Sequence, residues 1–360
     1  MKARAFVASV GARCAIGHSA VEVGFLLRTG IPALAAAPLV DHDAEQITMG
    51  FDPTLDPYLV GDERAAALAI SALDEALAPL GATALSARLI LCVNALARPP
   101  VGDGGSASRA PRRGEPAPGA LLAQLVHARA RELLPGIPVE IVARGGAGAA
   151  FALPAALEAL AARQVDLVVL GGAHTDYDPD TVAALDEAGR VFTPENLDAV
   201  LLGEGAAFVV LTREETARRL GLSPAARVGG VGTGVDRSRP DNDASAFEAT
   251  GTTAAIRAAA EDLVEPGLRA GWAICDHTFE ARRVLEWQAA VIRTHARWGE
   301  PHQVDAPAQR IGNLGAAALP FAMVLAAQGW RHGYAPSGIA LALAGSDAGE
   351  RGAVLLFSNV

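Results

Sequence analysis

Short apolar runs alternate with longer alanine-rich stretches along the first part of the chain. Such runs are typical of buried strands, and apolar positions three or four apart predict helices. Strands are predicted at residues 5–10, 89–93, 139–143, 166–170 and 206–211, and helices at 62–80, at 120–134 and in a glycine-led stretch ending at 163. Ser19 with Glu22, and Thr212 with Glu215, have the spacing of capping pairs and predict two further helix starts. Residues 97–119 are rich in proline, glycine and serine, which predicts a flexible exposed loop.

The second part of the chain repeats this order. Strands are predicted at 226–231, 272–275, 339–344 and 353–357, and helices at 247–263, 281–297 and 314–328. Each part therefore consists of strand, helix, strand, helix, an optional strand, helix and two strands. We expect two equivalent halves, residues 1–223 and 224–360, in an α/β fold of the duplicated α/β/α/β/α five-layer sandwich type. The alternative is a doubly wound fold with two nucleotide-binding halves.

The composition favours a compact protein and excludes several classes of function. Hydrophobic residues make up 51% of the 360 residues and charged residues 19%, which excludes a disordered chain. The formal net charge of −10 argues against a nucleic-acid groove or a polybasic membrane surface. Lys2 is the only lysine and lies at the N-terminal edge, so Schiff-base, pyridoxal and P-loop chemistry are excluded and no cofactor is expected.

The sequence also carries expectations about location and redox state. Cys14, Cys92 and Cys275 are far apart and lie in or beside apolar runs, as reduced and buried thiols do. No charged-then-apolar leader precedes the first strand, and no apolar run approaches the length of a membrane span. We therefore expect a cytoplasmic protein with no membrane span and no nucleic-acid partner.

Four segments carry a resemblance to a known family. Residues 6–30, 139–174, 192–221 and 311–327 are similar, in this order, to that family's first strand and helix, its nucleophile segment, its Gly-Glu-Gly stretch and its C-terminal histidine turn. On these segments the chain resembles the β-ketoacyl synthase branch of the thiolase superfamily. The resemblance spans nearly the whole chain and implies a thiolase-like fold.

The resemblance implies that several ketosynthase functional positions are altered here. The nucleophilic cysteine of the family falls on Gly146, its second histidine on Asn313 and its lysine on Ala308. The Gly-Phe-Gly-Gly turn falls on residues 347–350, with Ala348 at the phenylalanine. Condensation needs a thiolate at a helix N-terminus and two histidines that polarise a carbonyl. We therefore expect the standard condensation to be absent.

His277 remains as the candidate for the first histidine of the family. With Glu280 and Glu286 it forms a candidate acid/base pair or open metal site, although a hydrogen-bonded histidine at a strand end is the simpler interpretation. Cys275 is a candidate alternative nucleophile beside it. An inert strand thiol fits Cys275 better, because Asp276 flanks it and no cation does.

Two other segments contain residues suited to binding. The glycine-rich turn at 145–148 precedes a helix and could hold an anion on its backbone amides, although a close-packed turn is the simpler interpretation. The candidate binding residues are Gly145, Gly146, His277 and Asn313. His174, Asp176, Asp178 and Asp180 alternate after a strand and could coordinate a metal, but we favour a solvated acidic loop and expect no metal site.

Three functions remain open. The first is a non-condensing subunit, similar to a chain-length factor, that pairs with an active ketosynthase and contacts an acyl carrier protein. The second is a stand-alone adaptor or scaffold of a secretion or biosynthetic cluster, present as a monomer or as a dimer with itself. The third is a residual acyl-transfer or decarboxylase activity in which His277 and Asn313 polarise a carbonyl.

Overall fold

A computed structural model describes residues 5–81, 85–94, 119–237, 248–263 and 267–359, and within these ranges the chain forms twelve strands and ten helices. The strands are β1 (Ala5–Cys14), β2 (Ala35–Val40), β3 (Gln46–Met49), β4 (Ala87–Val93), β5 (Val139–Ala143), β6 (Leu167–Thr175), β7 (Glu204–Thr212), β8 (Ala226–Val235), β9 (Ala270–Cys275), β10 (Trp298–Asp305), β11 (Ile339–Gly345) and β12 (Glu350–Ser358). The helices are α1 (Ala20–Leu27), α2 (Gly61–Leu77), α3 (Ala120–Leu133), α4 (Gly148–Ala161), α5 (Pro179–Glu187), α6 (Glu214–Arg219), α7 (Thr250–Ala259), α8 (Ala281–Arg293), α9 (Ala308–Ile311) and α10 (Ala318–Arg331). The predicted loop at 97–119 lies outside the described residues except for Gly119.

The strands of the two halves follow the same order within one ten-stranded sheet. From one edge to the other the order is β10-β9-β11-β12-β8-β1-β7-β6-β4-β5. Counted from its outer edge, each half places its third, second, fourth, fifth and first strands in succession. The halves join at the centre, where residues Ala5 to Val7 of β1 pair antiparallel with Ala226 to Val228 of β8. The predicted boundary near Ser223 lies between α6 and β8 and stays a prediction.

Helices cover both halves of the sheet and also fill the space between them. Helices α2 and α3 pack on one face of the N-terminal half, and α7 and α8 pack on one face of the C-terminal half. The largest core cluster combines residues of α4 and α10 with residues from strands of both halves. The layers therefore run α/β/α/β/α, and the predicted five-layer sandwich is confirmed. The doubly wound alternative is wrong.

The central helices owe their position to small and apolar side chains. Every residue of α10 from Ala318 to Trp330 is buried, as expected for a helix enclosed on all sides. Glycine, alanine and leucine make up most of α4, which lets this helix fit between the two halves of the sheet. No described helix, α10 included, is both long and apolar enough to cross a membrane.

The local predictions had different outcomes. Ser19 caps α1, because its side chain accepts a hydrogen bond from the Glu22 backbone N–H at 3.3 Å. The capping prediction at Thr212 is wrong: this residue ends β7, and its hydroxyl donates to the Asp166 carbonyl oxygen at 2.7 Å. Strand β10 has no counterpart among the definite predictions, because an edge strand with polar residues and Pro301 leaves no apolar run in the sequence.

Candidate functional site

The glycine turn that follows β5 is closed by backbone atoms. Gly146 lies in a 3₁₀ turn immediately before α4. A Cβ atom on Gly146 would lie 2.6 Å from the Gly345 carbonyl oxygen and 3.1 Å from that of Gly315. A Cβ on Gly145, whose φ is +53°, would lie 2.9 Å from the Ser346 Cβ. The space that a side chain at position 146 would need is therefore already occupied by the C-terminal half.

The cysteines do not supply a reactive thiol in place of a side chain at 146. The sulfur of Cys92 lies close to α4, 3.3 Å from where a Cβ on Gly148 would stand. Burial raises the pKa of Cys92 to about 12, and burial likewise raises the pKa of Cys14 to about 12. Burial, with the charge of Asp276, raises the pKa of Cys275 well above its usual value. All three thiols stay protonated near neutral pH and are poor nucleophiles.

Four polar side chains form a group on one side of the glycine turn, which we call the histidine–amide cluster: Asn94, His174, Asp176 and Asn313. The Asn94 side-chain nitrogen lies 2.7 Å from His174 Nδ1, and His174 Nε2 lies 3.0 Å from an Asp176 oxygen. The Asn313 side-chain nitrogen lies 3.0 Å from His174 Nε2 and 3.2 Å from the other Asp176 oxygen. Because Asn313 comes from the turn before α10, the cluster connects the two halves of the chain.

Backbone donors fix the direction of both amides. The Asn94 side-chain oxygen accepts the Ala316 N–H at 3.1 Å, and that of Asn313 accepts the Gly315 N–H at 3.0 Å. Asn94 therefore directs an amide N–H at His174 Nδ1, and Asn313 directs one at the carboxylate of Asp176. Since Nδ1 accepts a hydrogen bond, the proton of the neutral ring belongs on Nε2, which donates it to the carboxylate of the cluster. Neither ring nitrogen is left to bind a substrate.

The structure corrects the interpretation of the acidic segment after β6. His174 and Asp176 are 5% and 2% exposed, so they do not belong to a solvated loop. The segment folds inward because Asp176 also accepts the Gly203 N–H at 3.0 Å. Asp178 caps α5 by accepting the Thr181 N–H at 2.9 Å. Among the described residues, no group of three or more His, Cys, Asp or Glu side chains could hold a metal ion.

The other side of the glycine turn is built from charges, which we call the charge network: Asp276, Arg283, Glu286 and Arg351. Arg351 donates two hydrogen bonds to Glu286, at 2.6 and 2.8 Å. Arg283 donates to Glu286 at 3.0 Å and to Asp276 at 2.8 Å. Burial alone would raise the pKa of Glu286, but the charges of Arg283 and Arg351 lower it to about 2. The carboxylate is therefore ionised at neutral pH.

His277 borders the charge network and a very small cavity. This cavity measures about 20 Å³, and its polar lining comes from Thr252, Asp276, His277, Arg283, Glu286 and Arg351. A space of that size holds about one water molecule. Burial lowers the pKa of His277, so its ring is neutral at neutral pH. No described residue donates or accepts a hydrogen bond at this ring, which differs from the bonded strand-end histidine of the simpler interpretation.

Ion pairs hold the turn between β11 and β12 against the rest of the site. Ala348 lies in this turn, next to Asp347. Arg190 bonds Asp347 at 2.8 Å and Glu280 at 2.8 Å. Arg282 approaches Asp347 only to 4.0 Å, and its two terminal nitrogens are buried without a hydrogen bond to any described residue. Glu280 is thereby paired with an arginine rather than with His277.

The candidate residues from the sequence are partly brought together. Gly146 and the turn that carries Asn313 are in contact, since Gly315 borders both. His277 lines the cavity beside the charge network, and Asn313 does not line it. The Ala344 methyl group, which lines the same cavity, lies 3.5 Å from where a Cβ on Gly146 would stand. Ala308 is buried in α9.

Sequence reasoning did not find three side chains of this site. Asn94, Arg283 and Arg351 were not singled out, although each bonds one of the polar groups beside the glycine turn. Asn94 is a single polar residue at the end of an apolar strand, and Arg351 follows Glu350 at the start of another. A polar residue at a strand end beside a glycine turn is the only indication that the sequence offers.

Solved structures match the fold of the chain, and a family model matches one segment of its sequence. The family model described as "Beta-ketoacyl synthase, N-terminal domain" matches residues 136–217, which include the glycine turn, α4, β6 and β7. No curated protein matches the sequence significantly.

Solved ketosynthases superimpose on almost the whole chain. The ishigamide ketosynthase/chain length factor is 20% identical, with 98% of this chain and 99% of that chain covered and a TM-score of 0.71. AntDE, a type II polyketide ketosynthase in complex with its acyl carrier protein AntF, is 14% identical, with 100% of each chain covered and a TM-score of 0.77. The ketosynthase from module 6 of the bacillaene synthase of Bacillus subtilis 168 is 14% identical, with 99% of this chain and 72% of that chain covered and a TM-score of 0.74. At these identities the likeness establishes the fold.

Proposed function

We propose that this chain, a thiolase-like protein with the ketosynthase fold, is a non-condensing partner subunit of an acyl or polyketide-type synthase. The observation that carries the proposal is the packing at Gly146. The residue has no side chain, and the Gly345 carbonyl oxygen lies 2.6 Å from where a Cβ would stand. Condensation by way of a covalent acyl intermediate requires a nucleophile at the start of α4. Here that position holds none and has no room for one.

The space around the glycine turn supports the same conclusion. Ligand sites in proteins usually enclose several hundred cubic ångströms. The cavity beside His277 measures about 20 Å³ and is walled by the charge network. The Asn313 amide is engaged at both ends, because it donates to Asp176 and accepts the Gly315 N–H. These features give no support to the alternative of acyl transfer or decarboxylation by His277 and Asn313.

Strand β5 offers the surface on which a partner subunit would bind. It is the last strand of the sheet on the N-terminal side and pairs with β4 alone among the described strands. Ile141 of β5 is 53% exposed. The family resemblance implies association through a strand and helices near the nucleophile segment. An unpaired edge strand with an exposed apolar residue is a template for such pairing.

Two of the structurally similar assemblies suggest which proteins this chain would bind. One is described as a ketosynthase/chain length factor, and the other as a ketosynthase in complex with its acyl carrier protein. By analogy, the partner of this chain is a ketosynthase that carries the nucleophilic cysteine, and the assembly contacts an acyl carrier protein. The protein acts in this assembly by binding, and its partner performs the chemistry.

Affinity capture of the tagged full-length chain from its host, followed by mass spectrometry, tests the proposal. We expect a cysteine-bearing ketosynthase in near-stoichiometric amount, together with a carrier protein. An Ile141→Arg variant should lose the ketosynthase, because a charge on β5 opposes strand pairing. An Ile292→Arg variant should retain it, since Ile292 is 73% exposed on α8 at the other end of the sheet. Capture of neither ketosynthase nor carrier protein would contradict the proposal.

A stand-alone adaptor is the second candidate function, and the small cavity favours it. A subunit that shapes a growing acyl chain needs an open tunnel, whereas an adaptor does not. On this alternative the purified protein is a monomer or a homodimer and binds no acyl carrier protein. Size-exclusion chromatography with light scattering, with and without the carrier protein, distinguishes the two candidates.

A further inference from the structure

A polar groove lies at the far end of α4 from the glycine turn. It has a volume of about 390 Å³ and lies where the end of α4, the start of β6 and helix α6 meet. Its walls are formed by Arg163, Asp166, Arg213, Glu215, Thr216 and Arg219. This volume is within the range of small-molecule sites and far exceeds that of the cavity beside His277.

Arg213 is a fixed part of the groove. One of its terminal nitrogens donates to the Leu160 and Val165 carbonyl oxygens, at 2.9 and 2.7 Å. The other donates to an Asp166 oxygen at 3.1 Å and to the Thr216 hydroxyl at 3.3 Å. Nε donates to Glu215 at 3.2 Å, and the side chain is 16% exposed. These contacts tie the guanidinium to the end of α4 and to the start of β6. A cation is thereby held in place at the base of the groove.

The two other arginines are free to change partners. Arg163 is 68% exposed and pairs with Glu215 at 2.7 Å, and Arg219 is 61% exposed and reaches Asp166 only at 3.5 Å. Exposed ion pairs of this kind contribute little to stability. A phosphate group could therefore replace either carboxylate as the partner of these guanidiniums without disturbing the fold.

The groove carries an excess of positive charge. Three arginines face Asp166 and Glu215, and both carboxylates are ionised at neutral pH. Burial acts to raise the pKa of Asp166, but hydrogen bonds from Ser86 and the charges of Arg219 and Arg213 lower it. The hydrogen bond from Arg163 lowers the pKa of Glu215. One positive charge is left over, in a chain whose net charge is −10.

We propose that the groove formed by Arg163, Arg213 and Arg219 binds the phosphate group of a small phosphorylated organic molecule. Arg213, whose N–H groups are all engaged, would contribute its fixed positive charge, and the two exposed arginines would donate the hydrogen bonds to the phosphate. The volume of about 390 Å³ leaves room for the organic part beside the phosphate. This site is independent of the proposed partner role, because it lies at the opposite end of α4 from the glycine turn.

Isothermal titration calorimetry at constant ionic strength tests the proposal, with glycerol 3-phosphate, inorganic phosphate and unphosphorylated glycerol as the probes. We expect saturable binding of both phosphates, tighter for glycerol 3-phosphate, and none of glycerol. Arg219→Gln and Arg163→Gln should each weaken the binding by about tenfold or more, since each removes a charge-assisted contact.

Arg218→Gln is the matched control. Arg218 is 74% exposed on the same helix as Arg219, pairs with Glu214 and does not line the groove. This variant should bind within about twofold of wild type. Equal thermal stability of the variants would show that any loss of binding is local. The proposal is overturned if neither phosphate binds saturably, if Arg218→Gln weakens binding as much as Arg219→Gln, or if inorganic phosphate binds as tightly as the ester.

Discussion

The two sides of the glycine turn satisfy buried polar groups in different ways. The histidine–amide cluster uses one carboxylate, one imidazole and two amides, and backbone N–H groups fix both of the amides. The charge network instead joins two arginines to two carboxylates. Beside it, Arg282 keeps two buried nitrogens without a hydrogen bond to any described residue. The histidine–amide cluster depends on the direction of its hydrogen bonds, whereas the charge network depends on the presence of every charged partner.

Removing the Glu286 carboxylate should disrupt the charge network. Glu286→Ala leaves Arg351 and Arg283 buried without their shared partner, so the free energy of unfolding should fall by about 3–5 kcal/mol. Chemical denaturation measures the change. Glu280→Ala is the control and should cost much less, because Arg190 keeps Asp347 as its partner. If Glu286→Ala lowers the free energy of unfolding by less than about 1 kcal/mol, the arginines of the charge network do not depend on Glu286.

Low pH should reduce the stability that the charge network contributes. The folded pKa of Glu286 is about 2, below its usual value of 4.5. Its ionised form therefore contributes stability above about pH 4.5, and this contribution is lost as the pH falls towards 2. We expect about 3 kcal/mol of the difference in unfolding free energy between wild type and Glu286→Gln to disappear over this interval. A difference that is constant with pH would contradict the assignment.

A side chain at the glycine turn should disturb the boundary between the two sides. Gly146→Cys forces its Cβ against the Gly345 carbonyl oxygen and should destabilise the protein by about 1–3 kcal/mol. No condensing activity should appear in an assay with acyl and malonyl carrier proteins. Gly338→Cys is the control, because its Cβ would meet nothing nearer than 3.9 Å. Equal stability of the two variants would show that the turn has room for a nucleophile.

Removing His174 from the histidine–amide cluster should lower the free energy of unfolding less than removing Glu286 does. His174→Phe leaves one oxygen of the buried Asp176 without its partner, which should cost about 1–3 kcal/mol. Thermal and chemical denaturation measure it. His332→Phe, on the surface beside Phe25, is the control and should change stability by less than about 0.5 kcal/mol. If His174→Phe costs more than Glu286→Ala, the comparison between the two sides is wrong.

The smallest expected effect is a gain in stability. Arg282→Met removes a guanidinium whose buried nitrogens have no hydrogen-bond partner among the described residues. Burial also lowers the pKa of Arg282, which shows that its charge is unfavourable in this position. We expect a stabilisation of about 1 kcal/mol by chemical denaturation. A destabilised variant would indicate that Arg282 has a partner in solution.

Sequence pattern predicts the layers well but not the polar site. Apolar strands and alanine-rich helices are local features, so the repeated order of elements and the cap at Ser19 follow from neighbouring residues. The site depends on distant pairs: Asn94 is 222 residues from Ala316, and His174 is 139 residues from Asn313. Nothing local distinguishes a buried aspartate such as Asp176 from a solvated one. Only the fold shows which charge meets which partner.

The arrangement of the central helices has a consequence for how the protein is made. Helix α4 belongs to the first half in sequence, but it packs in one core with α10 and strands of the second half. A ribosome therefore releases the first half while the surface destined for α10 is still bare. That surface stays exposed until α10 has emerged, and exposed apolar surface of this kind favours aggregation. The first half made alone would lack part of its own core.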